Sequence, residues 1–188
     1  NESPFPPRPE VVEVVEAGLR GLNRYPDGAA RALRRALAEQ PGVGPDEVVI
    51  GNGSCDLILL AGQALLDPGT TVVHAEPSFA LYPHLAAAAG ADAVAIPLAP
   101  DDGHDLDAMA AAVDERTRLL IVCNPNNPTS TAVPLEEIEA LLARVPRQVC
   151  VILDEAYCEF NLLSDAEESV ALLARHPNLV ILRTYSKV

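Results

Sequence analysis

Between residues 48 and 182 the sequence alternates in a way that few folds accommodate. Six short apolar runs, at 48–50, 71–75, 93–96, 119–123, 149–153 and 179–182, are separated by stretches of helical spacing at 57–66, 81–89, 106–113, 135–143 and 169–175. Several runs are apolar at consecutive positions, which suits strands buried on both faces. Strands that alternate with helices assemble a mostly parallel sheet covered by helices on both faces, so the fold class is α/β. Two further helices, at 9–22 and 29–39, precede the alternation, with a turn at Asn23-Arg-Tyr-Pro-Asp-Gly28 between them. Asp105 is a natural N-cap, and Pro134 suits the first turn of its helix.

Composition excludes several partners. The net charge of −14 disfavours nucleic acid and anionic membrane surfaces, which need a basic face. Apolar runs are far shorter than the roughly 18–20 residues of a membrane span. The opening, Asn1-Glu-Ser-Pro-Phe-Pro-Pro, is neither an initiator Met nor a signal peptide. Cys55, Cys123, Cys150 and Cys158 form no Cys-x-x-Cys pair and have no His at metal-ligand spacing. The expectation is reduced thiols, no metal and a cytoplasmic location.

In parallel sheets, ligands bind beyond the C-terminal ends of the strands, so the residues that follow each apolar run carry the information. Gly51-Asn-Gly-Ser-Cys-Asp56 follows the first run and leads into a helix, where free amides bind phosphate; a plain strand-to-helix turn accounts for it equally well. Phe79 follows the second run, placed either to stack on a flat ring or to pack in the core. Asn124-Pro-Asn-Asn-Pro-Thr-Ser130 makes a rigid loop that displays amides. Asp154, directly after five apolar residues, is costly to bury without a partner, and Tyr157 lies three positions on. Thr184 and Ser186 flank Lys187. A phosphate cradle, a ring, an amide, a carboxylate, a phenol, hydroxyls and an amine at one sheet edge fit an aromatic phosphorylated cofactor that reacts with an amine, pyridoxal 5′-phosphate.

These motifs, in this order, resemble the fold type I pyridoxal-phosphate aminotransferases, and most closely the histidinol-phosphate aminotransferase family. The opening Asn1-Glu-Ser-Pro and the turn Arg24-Tyr-Pro-Asp27 match the same pattern. The resemblance implies that Lys187 forms the Schiff base with the cofactor aldehyde and then moves a proton on the substrate. It implies that Asp154 keeps the pyridine nitrogen protonated, and that Tyr157 and Asn127 bond the ring oxygen. Phe79 would stack on the ring; Ser54, Cys55, Thr184 and Ser186 would hold the phosphate. Tyr25 would reach the cofactor phosphate of a partner subunit, so a homodimer is implied. Residues 1–25 would be an arm and helix, and 26–188 a cofactor-binding large domain incomplete at its C-terminal end. The small domain would be missing, together with the arginine for the substrate carboxylate.

The implied reaction moves an amino group between an amino acid and a 2-oxo acid, with histidinol phosphate and 2-oxoglutarate as the leading pair. An aromatic amino-acid aminotransferase and a decarboxylase of the same fold stand beside it. A non-catalytic fragment that binds cofactor or a partner is the alternative from another class, and the 188-residue piece alone is expected to be inactive. Two positions depart from the family pattern: Ser130 where glycine is usual, and Cys55 where an acid is usual.

Overall fold

The computed structural model describes residues 2–39 and 41–187 of the 188. Of the opening motif, Asn1 lies outside the described residues. Two compact units form, residues 1–50 with 186–188, and residues 51–185.

The smaller unit contains helix α1 (Pro9–Gly18), a 3-10 turn (Leu19–Gly21), helix α2 (Arg31–Glu39) and a second 3-10 turn (Pro45–Glu47). Pro9 begins α1, where its missing N–H costs nothing. Arg34 ties α2 to the second turn, through Nε to the Pro45 carbonyl at 2.9 Å and Nη2 to the Asp46 carboxylate at 3.2 Å.

The larger unit is the alternation itself. It runs α3 (Gly53–Leu65), β1 (Thr71–Glu76), α4 (Leu81–Ala89), β2 (Asp92–Pro97), α5 (Leu106–Ala111), β3 (Thr117–Cys123), α6 (Leu135–Arg144), β4 (Cys150–Asp154), a 3-10 turn (Cys158–Phe160), α7 (Ala166–Val170) and β5 (Leu179–Leu182). All neighbouring strands pair in parallel, in the order β2-β1-β3-β4-β5.

Successive side chains of a strand point to opposite faces, and the core divides accordingly. Val73, Ala75, Leu120, Val122, Val151 and Leu153 pack with Met109 of α5 and Ile138, Leu141 and Leu142 of α6. Val72, Leu119, Ile121, Cys123 and Ile152 pack with Ile58 of α3 and Tyr82, Leu85 and Ala86 of α4. Helices thus cover both faces, as the consecutive apolar residues imply. Asp105 caps α5, accepting from the Ala108 amide at 2.8 Å. Gly90 ends α4 with φ +68°, a left-handed conformation that glycine adopts without a Cβ penalty.

Two expectations need correction. Residues 48–50 form no strand, so the described sheet has five strands, not six. Val48 has extended dihedrals, φ −103° and ψ 125°, but its neighbour Val49 is 71% exposed. An extended apolar run becomes a strand only where a ladder meets it. The helix expected at 169–175 is α7, Ala166–Val170, which starts earlier. Asp165 and Glu168 form a capping box that sets its N-terminus. Elsewhere helix and strand ends shift by a few residues.

Candidate active site

The sheet order places the switch point between β1 and β3, where successive strands go first to one side and then to the other. Loops leaving the C-terminal ends of β1, β3 and β4 surround that point.

Asp154, the last residue of β4, is 2% exposed. Its Oδ2 accepts from the Tyr82 hydroxyl at 2.8 Å and its Oδ1 from the Ala156 amide at 3.1 Å. Burial raises the Asp154 pKa above the ordinary carboxylate range, and these two donors oppose the shift. The Tyr82 phenol is raised well above its usual value, first by burial and also by Cys123 and Asp154. A carboxylate offers about four acceptor sites, and these contacts use two. Tyr82 is fully buried and carries no sequence signature of a functional role. The signal for it was Asp154 itself, since a carboxylate at the end of an apolar strand needs a donor near it.

Phe79 is partly buried and meets Tyr82 edge-on, centroids 5.7 Å apart at 85°. The structure therefore joins Phe79, Tyr82 and Asp154 in one chain of contacts across the switch point. It does so by core packing as well as by placement at strand ends, so the two readings of Phe79 coexist.

Ser54 and Cys55 lie in the first turn of α3. The first four amides of a helix have no acceptor within it, and this end of the dipole favours anions. A short connection, residues 66–70, joins the end of α3 to the start of β1, so α3 runs from the C-terminal edge of the sheet to its N-terminal edge and its first turn lies toward the C-terminal edge. Gly51 precedes it, and a Cβ there would meet Leu57 Cδ2 at 2.8 Å. Cys55 is exposed.

The loop after β3 is closed at its base by Asn124, whose Nδ2 donates to the Val133 carbonyl at 3.1 Å while its Oδ1 accepts from the Val133 amide at 2.9 Å. Asn126 is buried and bridges to the β1 loop, accepting from Ser78 Oγ at 2.7 Å and donating to the Pro77 carbonyl at 3.2 Å. Asn127, half-buried, follows it. Ser130 has φ +62°, a left-handed conformation that glycine adopts without a Cβ penalty. Ser130→Gly is therefore expected to stabilise the protein by about 0.5–1 kcal/mol, read as a higher denaturant midpoint at unchanged slope.

Tyr157 and Thr184 are half-buried. Tyr25, Ser186 and Lys187 belong to the smaller unit: Tyr25 is 99% exposed, Ser186 exposed and Lys187 half-buried. Lys187 is the only lysine of the chain, and the other formally charged basic residues are arginines. It follows Leu182, the end of β5, by five positions.

Sequence reasoning also missed an ion pair. Glu155, 6% exposed, accepts from Arg183 Nε at 2.9 Å, and the Arg183 Nη2 reaches Ser169 Oγ at 3.2 Å and the Ala166 carbonyl. Burial raises the Glu155 pKa, against the pull of Ser169 and Arg183. The pair ties β4 to β5 and α7 beside Asp154. Arg183→Ala leaves the carboxylate buried without its cation and is expected to cost about 2–3 kcal/mol, below the fully buried case because the arginine is partly exposed. Arg183→Lys should recover part of this in thermal melts.

Comparison with known proteins decides the family. The family model described as aminotransferase class I and II matches residues 1–188. The chain belongs to this family. An aromatic amino acid aminotransferase of Streptomyces avermitilis is 46% identical over 187 residues, covering 100% of this chain and 52% of that protein. A histidinol-phosphate aminotransferase of Halalkalibacterium halodurans is 44% identical over 188 residues, covering 100% and 51%. The crystal structure of the Sinorhizobium meliloti histidinol-phosphate aminotransferase, in complex with pyridoxal 5′-phosphate, superposes with a TM-score of 0.91 at 30% identity, covering 100% of this chain and 50% of that one. The chain thus spans about half the length of the relatives it matches. Its sheet is that of the fold type I large domain. Among the described residues no helix is long and apolar enough to cross a membrane.

Proposed function

We propose that the full-length protein is a pyridoxal 5′-phosphate-dependent aminotransferase that moves an amino group between an amino acid or amine and a 2-oxo acid. The observation that carries this reading is Asp154: a carboxylate buried at a strand end by the switch point, held by neutral donors and raised by burial. Such a group fits a protonated ring nitrogen, whose charge would bring its pKa back down. The amides of Ser54 and Cys55 at the start of α3 fit a phosphate, and partly buried Phe79 fits the flat face of a ring.

When bound, the cofactor supplies an aldehyde and a ring that accepts the electrons of the substrate α-carbon. Asp154 would keep a proton on the ring nitrogen. Asn127 and Tyr157 would hydrogen-bond the ring oxygen. Thr184 and Ser186 add hydroxyls to the phosphate contacts. Lys187 would hold the aldehyde through Nζ and would hold and move a proton at the substrate α-carbon. Tyr25, with its side chain almost fully exposed, reaches the phosphate site of a second copy, so the enzyme works as a homodimer. In the whole enzyme, residues 1–25 form an arm and helix, and 26–188 the greater part of a large cofactor-binding domain. A cytoplasmic location belongs to the same proposal, in keeping with the absence of a Cys-x-x-Cys pair. The substrate class is histidinol phosphate or an aromatic amino acid, the two named for relatives of almost equal similarity.

The test is a titration of the full-length protein with pyridoxal 5′-phosphate. A visible absorption band is expected, which either amine converts to the spectrum of the aminated cofactor and 2-oxoglutarate restores. A band that forms but responds to no amino donor contradicts turnover and leaves a binding protein.

A further inference from the structure

The sheet opens between β1 and β3 before either strand ends. Their ladder stops at His74–Ile121, whereas β1 continues beside β2 to Glu76–Pro97, and β3 beside β4 to Cys123–Asp154. Alternate residues of a parallel strand turn their backbone polar groups to opposite neighbours. The Asn124 amide bonds the Asp154 carbonyl, so β4 serves residue 124. The Cys123 carbonyl, one residue earlier, points to the side that β1 has left. A buried carbonyl there needs another donor.

His104 supplies it. Its Nε2 lies 2.7 Å from the Cys123 carbonyl, and the residue is 7% exposed. Burial lowers its pKa, so the imidazole is neutral near pH 7, with the proton on Nε2 and the lone pair on Nδ1. Nδ1 has no hydrogen-bond partner among the described residues, so Nε2–H is the contact the ring is placed to make.

The turn that carries His104 grips the same loop a second time. The carbonyl of Asp102, a residue with φ +63°, accepts from Thr131 Oγ1 at 2.7 Å and lies 3.3 Å from Thr129 Oγ1. One turn before α5 therefore holds the β3 loop at its root, Cys123, and at its returning limb, Thr129 and Thr131. Asn127 lies between those grips.

We infer that His104 is a positioning residue for the cofactor site: it replaces the absent β1 partner on the Cys123 carbonyl and, with the Asp102 carbonyl, fixes the loop that presents Asn127. The link to the cofactor rests on the function proposed above, but the fixing of the loop does not.

Two variants of the full-length protein test it. His104→Leu keeps bulk and removes the donor. His104→Gln returns an amide N–H to the position of Nε2. Hydrogen exchange of the cofactor-free protein, read by mass spectrometry, is expected to rise about tenfold in His104→Leu, confined to residues 123–131, and to stay near wild type in His104→Gln. The dissociation constant for pyridoxal 5′-phosphate is expected to rise about tenfold in His104→Leu and to recover in His104→Gln. Unchanged local exchange in His104→Leu overturns the inference, and so does an even rise across β3 and α5 with unchanged cofactor affinity. If His104→Leu does not fold, Thr131→Val removes one bond to the same turn and must give the same local signature. A local exchange effect in a protein that binds no cofactor upholds the fixing of the loop and refutes the proposed function instead.

Discussion

Lys187→Ala in the full-length protein is expected to lower turnover by about 10⁴-fold or more, with the fold intact. The size follows from the two tasks assigned to one amine. Proton transfer by a positioned side chain is worth about 10²–10⁴-fold on its own, and the same Nζ is also the nucleophile that holds the cofactor aldehyde. Lys187 is half-buried, so melting should change by about 1 kcal/mol, the usual size for a single replacement. Added small primary amines should recover part of the proton-transfer rate without restoring the covalent hold. Normal turnover in Lys187→Ala would contradict the assignment outright.

Asp154→Asn is expected to separate stability from function. In the cofactor-free protein, the buried carboxylate has a raised pKa because burial disfavours its charge. The sign is then fixed. The folded state holds the Asp154 proton more tightly than the unfolded state, so its favourable contribution is fully present below the ordinary carboxylate pKa. That contribution is lost as pH rises through the raised folded value. Asparagine removes this charge and still satisfies both neighbours: its carbonyl accepts from the Ala156 amide, and its amide donates to the Tyr82 hydroxyl, which can turn to accept. The cofactor-free variant should therefore be at least as stable as wild type at pH 7. Its melting temperature should vary less between pH about 4 and 7. A residual slope of the same sign is expected from Glu155, which is also raised by burial. Turnover should nevertheless fall by about 10²–10⁴-fold, the effect of losing a buried charge partner worth about 3–5 kcal/mol. A variant both less stable at pH 7 and fully active would refute the role given to Asp154.

The layered sheet was legible because apolar residues at consecutive positions leave little besides strands covered on both faces. Val72 and Val73, or Leu119 and Leu120, divide cleanly between the two halves of the core. The run at 48–50 misled because periodicity reports a tendency to extend, and pairing is decided by whatever strand lies alongside. The placement of Asp154 was legible for a similar reason, since a carboxylate that ends an apolar strand has to face something. What it faces was not. Tyr82 is 72 positions away in the chain, and its contact depends on how α4 lies on the sheet. His104 was hidden for the same cause: its partner is a backbone carbonyl, which has no sequence signature. Ser130 shows the reverse, a departure whose cost became visible once its left-handed backbone was known.

One amine, the Lys187 Nζ, carries the proposed chemistry. Full-length protein loaded with pyridoxal 5′-phosphate, reduced with borohydride and digested with trypsin should carry the cofactor on a single peptide. That peptide should begin at Thr184, after Arg183, and run past Lys187, because trypsin does not cut at a modified lysine. Label on Thr184-Tyr-Ser-Lys187 in wild type, and its loss in Lys187→Ala, is the predicted result. Label on another lysine, or none retained after reduction, would contradict the account.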